Sequence, residues 1–198
     1  MNDMNVRSCL LCGVGGQGKV LASRIIAAAA MIKGFRARTA ETIGMAQRGG
    51  SVVSHVRIGT DIPSPMIPEG RADILIGFEP GEAAANLKYL KDGGTLILCQ
   101  EEVKPITASL GQSGYDGRSS CEYLQSRIDR CFTVDADRIC RECGNPKVLN
   151  VAVVGALCAS GAMGLTLEDV DKALEQRLKP KLVEVNQKAL RMGAECIK

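Results

Sequence analysis

Glycines near the amino terminus form the pattern most able to bind a ligand. They follow a short apolar run, Val6 to Cys12, and precede an Ala/Ile-rich segment that continues to Lys33. This order predicts a strand, a tight loop and a helix whose first N–H groups can hold an anion. Glycines also permit sharp turns and close packing of a helix on a sheet, so a purely structural loop is the alternative. The candidate contact residues are Gly13, Gly15, Gly16, Gln17 and Gly18.

A carboxylate stands where a dinucleotide-binding protein would place one. Glu41 lies 23 residues after Gly18 (41 − 18), at the end of the expected second strand. In NAD-binding proteins an acidic residue near this position binds the ribose. Lys19 does not turn the loop into a Walker motif, because the order Gly-Lys-Ser/Thr and its spacing are absent. An independent NAD- or flavin-binding oxidoreductase is therefore one interpretation.

A second candidate loop starts directly after Glu41. It combines one charge, hydrogen-bonding side chains and paired glycines at the carboxyl end of a strand, where open α/β sheets place their ligands. The fork of Arg48 suits a carboxylate or a phosphate. We interpret the segment as a ligand-binding or partner-contact loop, because binding residues often lie on loops. A loop that only reverses the chain direction would rarely combine Gln47 and Arg48 with paired glycines. Its candidate residues are Thr42, Gln47, Arg48, Gly49 and Gly50.

Cysteine and histidine do not form a convincing reactive site. Cys9 and Cys12 fall on the first strand, where they point to opposite faces, and the second CxxC pair, Cys140 and Cys143, is expected to end a helix. We therefore predict no metal site, although two such pairs could supply four thiolates. His55 has no identifiable carboxylate partner and is predicted to be structural. No catalytic residue is assigned.

Composition excludes several classes of protein. The chain has 198 residues, 45% hydrophobic and 24% charged, which is typical of a globular protein that needs no disulfides. Three tyrosines, three phenylalanines, no tryptophan and a net charge of +3 argue against nucleic-acid binding. No apolar run approaches the roughly 20 residues needed to span a membrane, and the amino terminus lacks the features of a secretory signal. We expect a cytoplasmic protein with reduced cysteines.

Alternation of strands and helices predicts the fold. We expect an α/β, Rossmann-like, doubly wound and mostly parallel sheet over about residues 6–160, with a helical extension over about 161–198, in one domain of 198 residues. Pro80 is expected to begin a helix that extends to about Leu90, before a strand from Thr95 to Cys99. Thr166 is expected to cap a later helix.

Two stretches together resemble a known family. The run 13–18 and the run 40–57, which contains AETIGMAQRGGSVVSHVR, are similar to the gamma-type domain of 2-oxoacid:ferredoxin oxidoreductases. Further agreement occurs in PSPMIPEG at 63–70 and in GNPK at 144–147, so the resemblance covers about residues 6–160. The loop 41–50 is its most specific part. It resembles the members of the family that act on aryl pyruvates such as indolepyruvate.

The resemblance implies one subunit of a cytoplasmic, oxygen-sensitive, two-subunit enzyme. A larger alpha subunit would hold thiamine diphosphate, magnesium and iron–sulfur clusters. The complex would decarboxylate an aryl pyruvate, pass two electrons to ferredoxin and transfer the acyl group to coenzyme A. The present chain would be inactive alone and bind no redox cofactor, while the glycine loop, Gln47 and Arg48 line a cleft shared with the partner. A non-catalytic assembly subunit is the remaining alternative.

Overall fold

A computed structural model describes residues 5–42, 49–103 and 115–197 of the chain. The strands are β1 Arg7–Val14, β2 Arg36–Glu41, β3 Ser51–Gly59, β4 Ala72–Gly77, β5 Leu90–Cys99 and β6 Cys131–Val134. The helices are α1 Lys19–Ile32, α2 Pro80–Ala85, α3 Gly117–Arg127, α4 Ala136–Cys143, α5 Leu149–Ser160, α6 Leu167–Arg177 and α7 Pro180–Ala194. Short 3-10 turns occupy Leu87–Tyr89 and Pro146–Val148.

All six strands form one sheet in the order β2-β3-β1-β4-β5-β6. The pairs β1–β4, β4–β5 and β5–β6 are parallel, whereas β3 runs antiparallel to both β2 and β1. The predicted α/β fold is confirmed, with the difference that the sheet is mixed. Residues 42–50 are too few for the crossover of about a dozen residues that a parallel pair requires, so β2 and β3 pair antiparallel.

Helices cover both faces of the sheet. Cys9 and Leu11 of β1 face the cluster formed with α1, α5, α6 and α7, while Leu10 and Cys12 face the cluster formed with α2 and α3. From Ser8 to Val14 every residue of β1 is buried, as expected for a strand covered on both faces. The opposite orientation of Cys9 and Cys12 agrees with the period of two in a strand.

Two glycines set the distance between α5 and α7. A Cβ atom on Gly155 would lie 1.9 Å from the carbonyl oxygen of Leu190, and one on Gly193 would lie 1.8 Å from that of Ala152. The backbones of the two helices therefore touch, and α5 is buried on all sides from Leu149 to Cys158. This contact fixes the amino-terminal end of α5, which forms part of the candidate site.

The sequence placed one boundary wrongly. The helix that begins at Pro80 ends at Ala85, and Leu90 already belongs to β5. Leu90 pairs with Ala72 ahead of an irregularity in the β4–β5 ladder. The glycines at 93 and 94 predicted that the strand would begin only after them, at Thr95. The expected capping box of Thr166 is present, with both of its hydrogen bonds.

The order of the strands creates a crevice beside β1. The chain leaves β1 toward β2 and β3 on one side and returns to β4 on the other, so the connections diverge where β1 and β4 end. Open α/β sheets bind ligands at such a point, beyond the carboxyl ends of the strands. In the described residues no helix is long and apolar enough to cross a membrane.

Candidate functional site

The inner side of the glycine loop is filled by a glutamine. Gln17 Oε1 accepts a hydrogen bond from the Val14 N–H at 2.8 Å, and Gln17 Nε2 donates to the Phe78 carbonyl oxygen at 2.9 Å. A Cβ on Gly13 would lie 2.6 Å from Gln17 Oε1, so glycine is required where the side chain folds back. The amide group of Gln17 thus ties the loop to the end of β4, and its polar atoms are already partnered.

A lysine lies beneath the same loop. Lys19 is only 2% exposed, and its Nζ donates to the Val14 carbonyl oxygen at 2.5 Å and lies 5.8 Å from the centre of the Phe78 ring. Burial lowers the pKa of Lys19 to about 8, although the nearby Cys12 and Glu82 act in the opposite direction. In the sequence, Lys19 was considered only as a possible Walker lysine, and its spacing excluded that role. Its burial is a tertiary effect that no local pattern signals.

The outer side of the loop presents backbone. Gly16 and Gly18 have φ angles of 102° and 80°, the left-handed region that favours glycine. Gly18 is the N-cap of α1 and supplies no side-chain cap. The first N–H groups of a helix lack partners within the helix, so this end of α1 attracts anions.

The first candidate loop touches the described end of the second. The Gly15 N–H donates to the Gly50 carbonyl oxygen at 2.8 Å. Thr42 continues the pairing of β2 with β3, because its hydroxyl accepts from the Val53 N–H at 3.0 Å and donates to the Val53 carbonyl oxygen. Gln47 and Arg48 lie outside the described residues.

A cavity of about 540 Å³ lies beside the loop. It lies between the start of α1, the first turns of α4 and α5, and the segment that follows β5. Its size and mostly apolar lining are typical of small-molecule sites. It is lined by Gly16, Gln17, Gly18, Leu21, Glu101, Val103, Asp137, Cys140, Pro146, Lys147, Leu149 and Asn150.

Polar groups also line this cavity. Asn150 lies against the glycine loop and is 5% exposed, and its Oδ1 has no hydrogen-bond partner among the residues that the structure describes. Burial, together with Glu101, Cys143 and Asp137, raises the pKa of the Cys140 thiol, which also lines the cavity. Lys147 lies at the exposed rim.

Comparison with known proteins identifies the family. A family model described as pyruvate ferredoxin/flavodoxin oxidoreductase matches residues 8–196. The chain belongs to this family. The resemblance predicted from the two glycine-containing loops is therefore confirmed.

Relatives in the family match over nearly their full length. Indolepyruvate oxidoreductase subunit IorB of Archaeoglobus fulgidus is 42% identical over 185 residues, which cover 93% of this chain and 92% of that protein. The protein of the same name from Pyrococcus horikoshii is 34% identical over 203 residues, covering 100% and 98%. The crystal structure of a keto/oxoacid ferredoxin oxidoreductase gamma subunit from Geobacter sulfurreducens has a TM-score of 0.71 at 26% identity, covering 98% and 97%.

Glu41 is engaged in a contact of its own. Its Oε1 accepts a hydrogen bond from Ser23 Oγ at 2.8 Å, and Ser23 is fully buried in α1. Glu41 does not line the 540 Å³ cavity. Glu41, the acidic residue that would bind the ribose in an NAD-binding protein, therefore lies outside this cavity.

A carboxylate network that the sequence did not indicate lies at the same edge of the sheet. Glu79 is fully buried and caps α2, accepting from the Glu82 N–H at 2.8 Å, and the Tyr115 hydroxyl donates to its other oxygen. Burial raises the pKa of Glu79. Ser51 Oγ donates to Glu82 Oε2 at 2.5 Å. These bonds join β3, α2 and the start of α3 around the crevice.

His55 and the CxxC pairs hold structural positions. His55 is buried, its Nδ1 accepts from the Ile67 N–H at 3.2 Å, and its ring meets Tyr89 edge to face at 5.9 Å. Burial lowers the pKa of His55. Cys140 and Cys143 end α4. Among the residues that the structure describes, no group of three or more His, Cys, Asp or Glu side chains is arranged to hold a metal ion.

Proposed function

We propose that this chain is a subunit of a 2-oxoacid:ferredoxin oxidoreductase that acts on aryl pyruvates such as indolepyruvate, and that its glycine-loop cavity positions coenzyme A. Family membership over residues 8–196 supports the enzyme class. The names of the relatives that are 42% and 34% identical support the aryl pyruvate. The observation that carries the role in binding is the 540 Å³ cavity at the start of α1.

Coenzyme A suits the chemistry of this cavity. The uncapped start of α1 offers N–H groups for a phosphate, and the Leu21, Val103 and Leu149 side chains offer apolar surface for the less polar parts of the molecule. Holding one end of a thiol carrier at a fixed place raises the effective concentration of its reactive end. This chain would therefore contribute by orientation, and bond breaking would occur on the partner.

The redox cofactors are assigned to the partner, the alpha subunit. Thiamine diphosphate with magnesium would decarboxylate the 2-oxoacid there, and iron–sulfur clusters would pass two electrons to ferredoxin. The placement of the cysteines supports this division, because Cys9 and Cys12 point to opposite faces of the sheet and cannot bind one cluster together. On this proposal the isolated chain has no 2-oxoacid oxidation activity.

Blocking the cavity tests the proposal. Leu21 is 37% exposed and lines the cavity, whereas Met31 is 61% exposed on the same helix and does not. In the complex reconstituted with its alpha subunit in the absence of oxygen, Leu21→Trp should raise the KM for coenzyme A at least tenfold and leave the KM for indolepyruvate within twofold. Met31→Trp should change neither. A wild-type complex that does not consume indolepyruvate would refute the proposed enzyme.

The same kinetics separate the proposal from its rivals. A normal KM for coenzyme A in the Leu21→Trp complex would favour a subunit needed only for assembly. Tight binding of NADH to the isolated chain would favour an independent dehydrogenase. The bond between Glu41 and Ser23 speaks against the latter, because it occupies an oxygen that a ribose diol would need.

A further inference from the structure

Asn150 is a buried amide that the fold leaves unsatisfied. It lies in the first turn of α5, where it is surrounded in sequence by Leu149, Val151 and Ala152. The residue is only 5% exposed, and its Oδ1 is shielded from solvent with no hydrogen-bond partner within the described part of the chain. Burying a polar group without a partner costs free energy, and most buried polar atoms are paired. An apolar side chain of similar size would serve the packing of α5 better.

The amide faces the start of another helix. A Cβ atom on Gly18 would lie 2.9 Å from Asn150 Nδ2. The N-cap of α1 is Gly18, which supplies no side-chain cap. The 3-10 turn Pro146–Val148 leads directly into α5, and Asn145 caps that turn by accepting from the Lys147 N–H. The two helices are 14 and 12 residues long, and both amino-terminal ends border the cavity that Asn150 lines. The N-terminus of α1 attracts anions, and the amide of Asn150 lies beside it.

We propose that Asn150 is a ligand-binding residue of the 540 Å³ cavity, whose Oδ1 accepts an N–H of the bound ligand while Nδ2 and the N–H groups at the start of α1 donate to a phosphate. This inference rests on the proposed function, since coenzyme A combines phosphates with N–H donors. In the structure Oδ1 is covered, so binding requires the amide to rotate toward the cavity. Glu101 and Asp137 also line the cavity, and acidic side chains disfavour a phosphate beside them, so the phosphate is placed at the N–H groups of the glycine loop.

The N–H donor belongs to one of two parts of coenzyme A. The exocyclic amine of adenine and the amides of the pantetheine arm both offer an N–H to an asparagine oxygen. ADP carries only the first group and pantetheine only the second, so the two compounds distinguish the sources.

The variant Asn150→Leu tests the inference, with Asn186→Leu as its control. Asn186 is also buried, but its Nδ2 donates to the Leu182 carbonyl oxygen at 2.7 Å, so its amide already has a structural role. Calorimetric titration of the reconstituted complex with coenzyme A should show a ten- to hundredfold weaker Kd for Asn150→Leu and an unchanged Kd for Asn186→Leu. Repeating the titration with ADP and with pantetheine shows which part loses affinity.

Stability provides the second readout. The Tm of the ligand-free chain should not fall in Asn150→Leu, because an unpaired amide is removed, and should fall in Asn186→Leu, because a bond is lost. A lower Tm or failure to fold in Asn150→Leu would assign the residue a structural role and overturn the inference. An unchanged Kd for coenzyme A would also overturn it, while leaving the proposed function intact if the complex still oxidises indolepyruvate. Asn150→Asp, which keeps the shape but adds negative charge, should weaken coenzyme A more than pantetheine.

Discussion

Replacing Lys19 by methionine should change how the stability of the chain depends on pH. The ammonium group is buried, and its pKa falls from the ordinary 10.5 to about 8. The unfolded chain therefore holds the proton more tightly than the folded chain does. Since a tenfold change in proton affinity corresponds to about 1.36 kcal/mol, folding with a charged Lys19 costs about 3 kcal/mol, a cost that methionine does not have.

The sign and size of the effect follow from linkage. Below pH 8 both states are protonated, and the wild-type chain bears the full cost. As the pH rises from 8 toward 10.5, the folded lysine loses its proton first and the cost declines. Relative to Lys19→Met, the wild type should gain about 1.4 kcal/mol by pH 9 and about 2.5 kcal/mol by pH 10. Cysteine titration affects both proteins and largely cancels in the difference.

Urea unfolding under reducing conditions at pH 7, 8 and 9 measures this difference. Lys181→Met is the matched control, because Lys181 is exposed on α7, and its difference from wild type should not vary with pH. At pH 7 the loss of the bond to the Val14 carbonyl oxygen offsets part of the gain from removing the charge, so the change with pH is the informative quantity. A difference between wild type and Lys19→Met that stays within about 0.5 kcal/mol from pH 7 to 9 would refute the buried charge.

Three further variants or titrations test the packing and the loop. Gly193→Ala should destabilise the chain by about 1 to 3 kcal/mol in urea unfolding, because its Cβ would meet the carbonyl oxygen of Ala152 at 1.8 Å, and a neutral result would disprove the close helix contact. Gln17→Leu should lower the free energy of unfolding by about 1 to 3 kcal/mol, because the Val14 N–H and the Phe78 carbonyl oxygen lose their hydrogen-bond partner. Unfolding curves equal to those of the wild type would show that these two bonds do not stabilise the loop. NADH should bind the isolated chain with a Kd weaker than about 10 μM, since Glu41 is bonded to Ser23; tighter binding that Glu41→Ala abolishes would contradict this.

Most of the architecture follows from local patterns in the sequence. The continuous apolar runs of β1 and β4 indicate strands covered on both faces, and Thr166 with Asp169 marks the start of α6 correctly. Residues 42–50 were interpreted as a loop and no direction was predicted for β3, so its antiparallel pairing emerges only from the structure. The length of that connection was the available signal.

The site could be predicted only in outline. The spacing of Gly13, Gly15 and Gly18 located the loop. Gly18 has a positive φ, and a Cβ on Gly13 would collide with Gln17, so both positions depend on glycine itself. Half of the residues that line the cavity come from segments more than a hundred residues away, such as Lys147 and Asn150. Only the pairing of the sheet brings these segments together, so no local pattern could have selected them.

The two sides of the glycine loop explain why side chains alone give a misleading account of it. Gln17 and Lys19 are polar side chains of the fingerprint region, yet both bond to backbone atoms at the ends of strands. Their partners are Val14, the last residue of β1, and Phe78, which follows β4. The outer side consists of backbone N–H groups at the start of α1, and the nearby amide without a partner belongs to Asn150 of α5. In this arrangement the polar residues of the motif hold the loop in shape, and the groups left for a ligand are the backbone of α1 and a side chain from another helix.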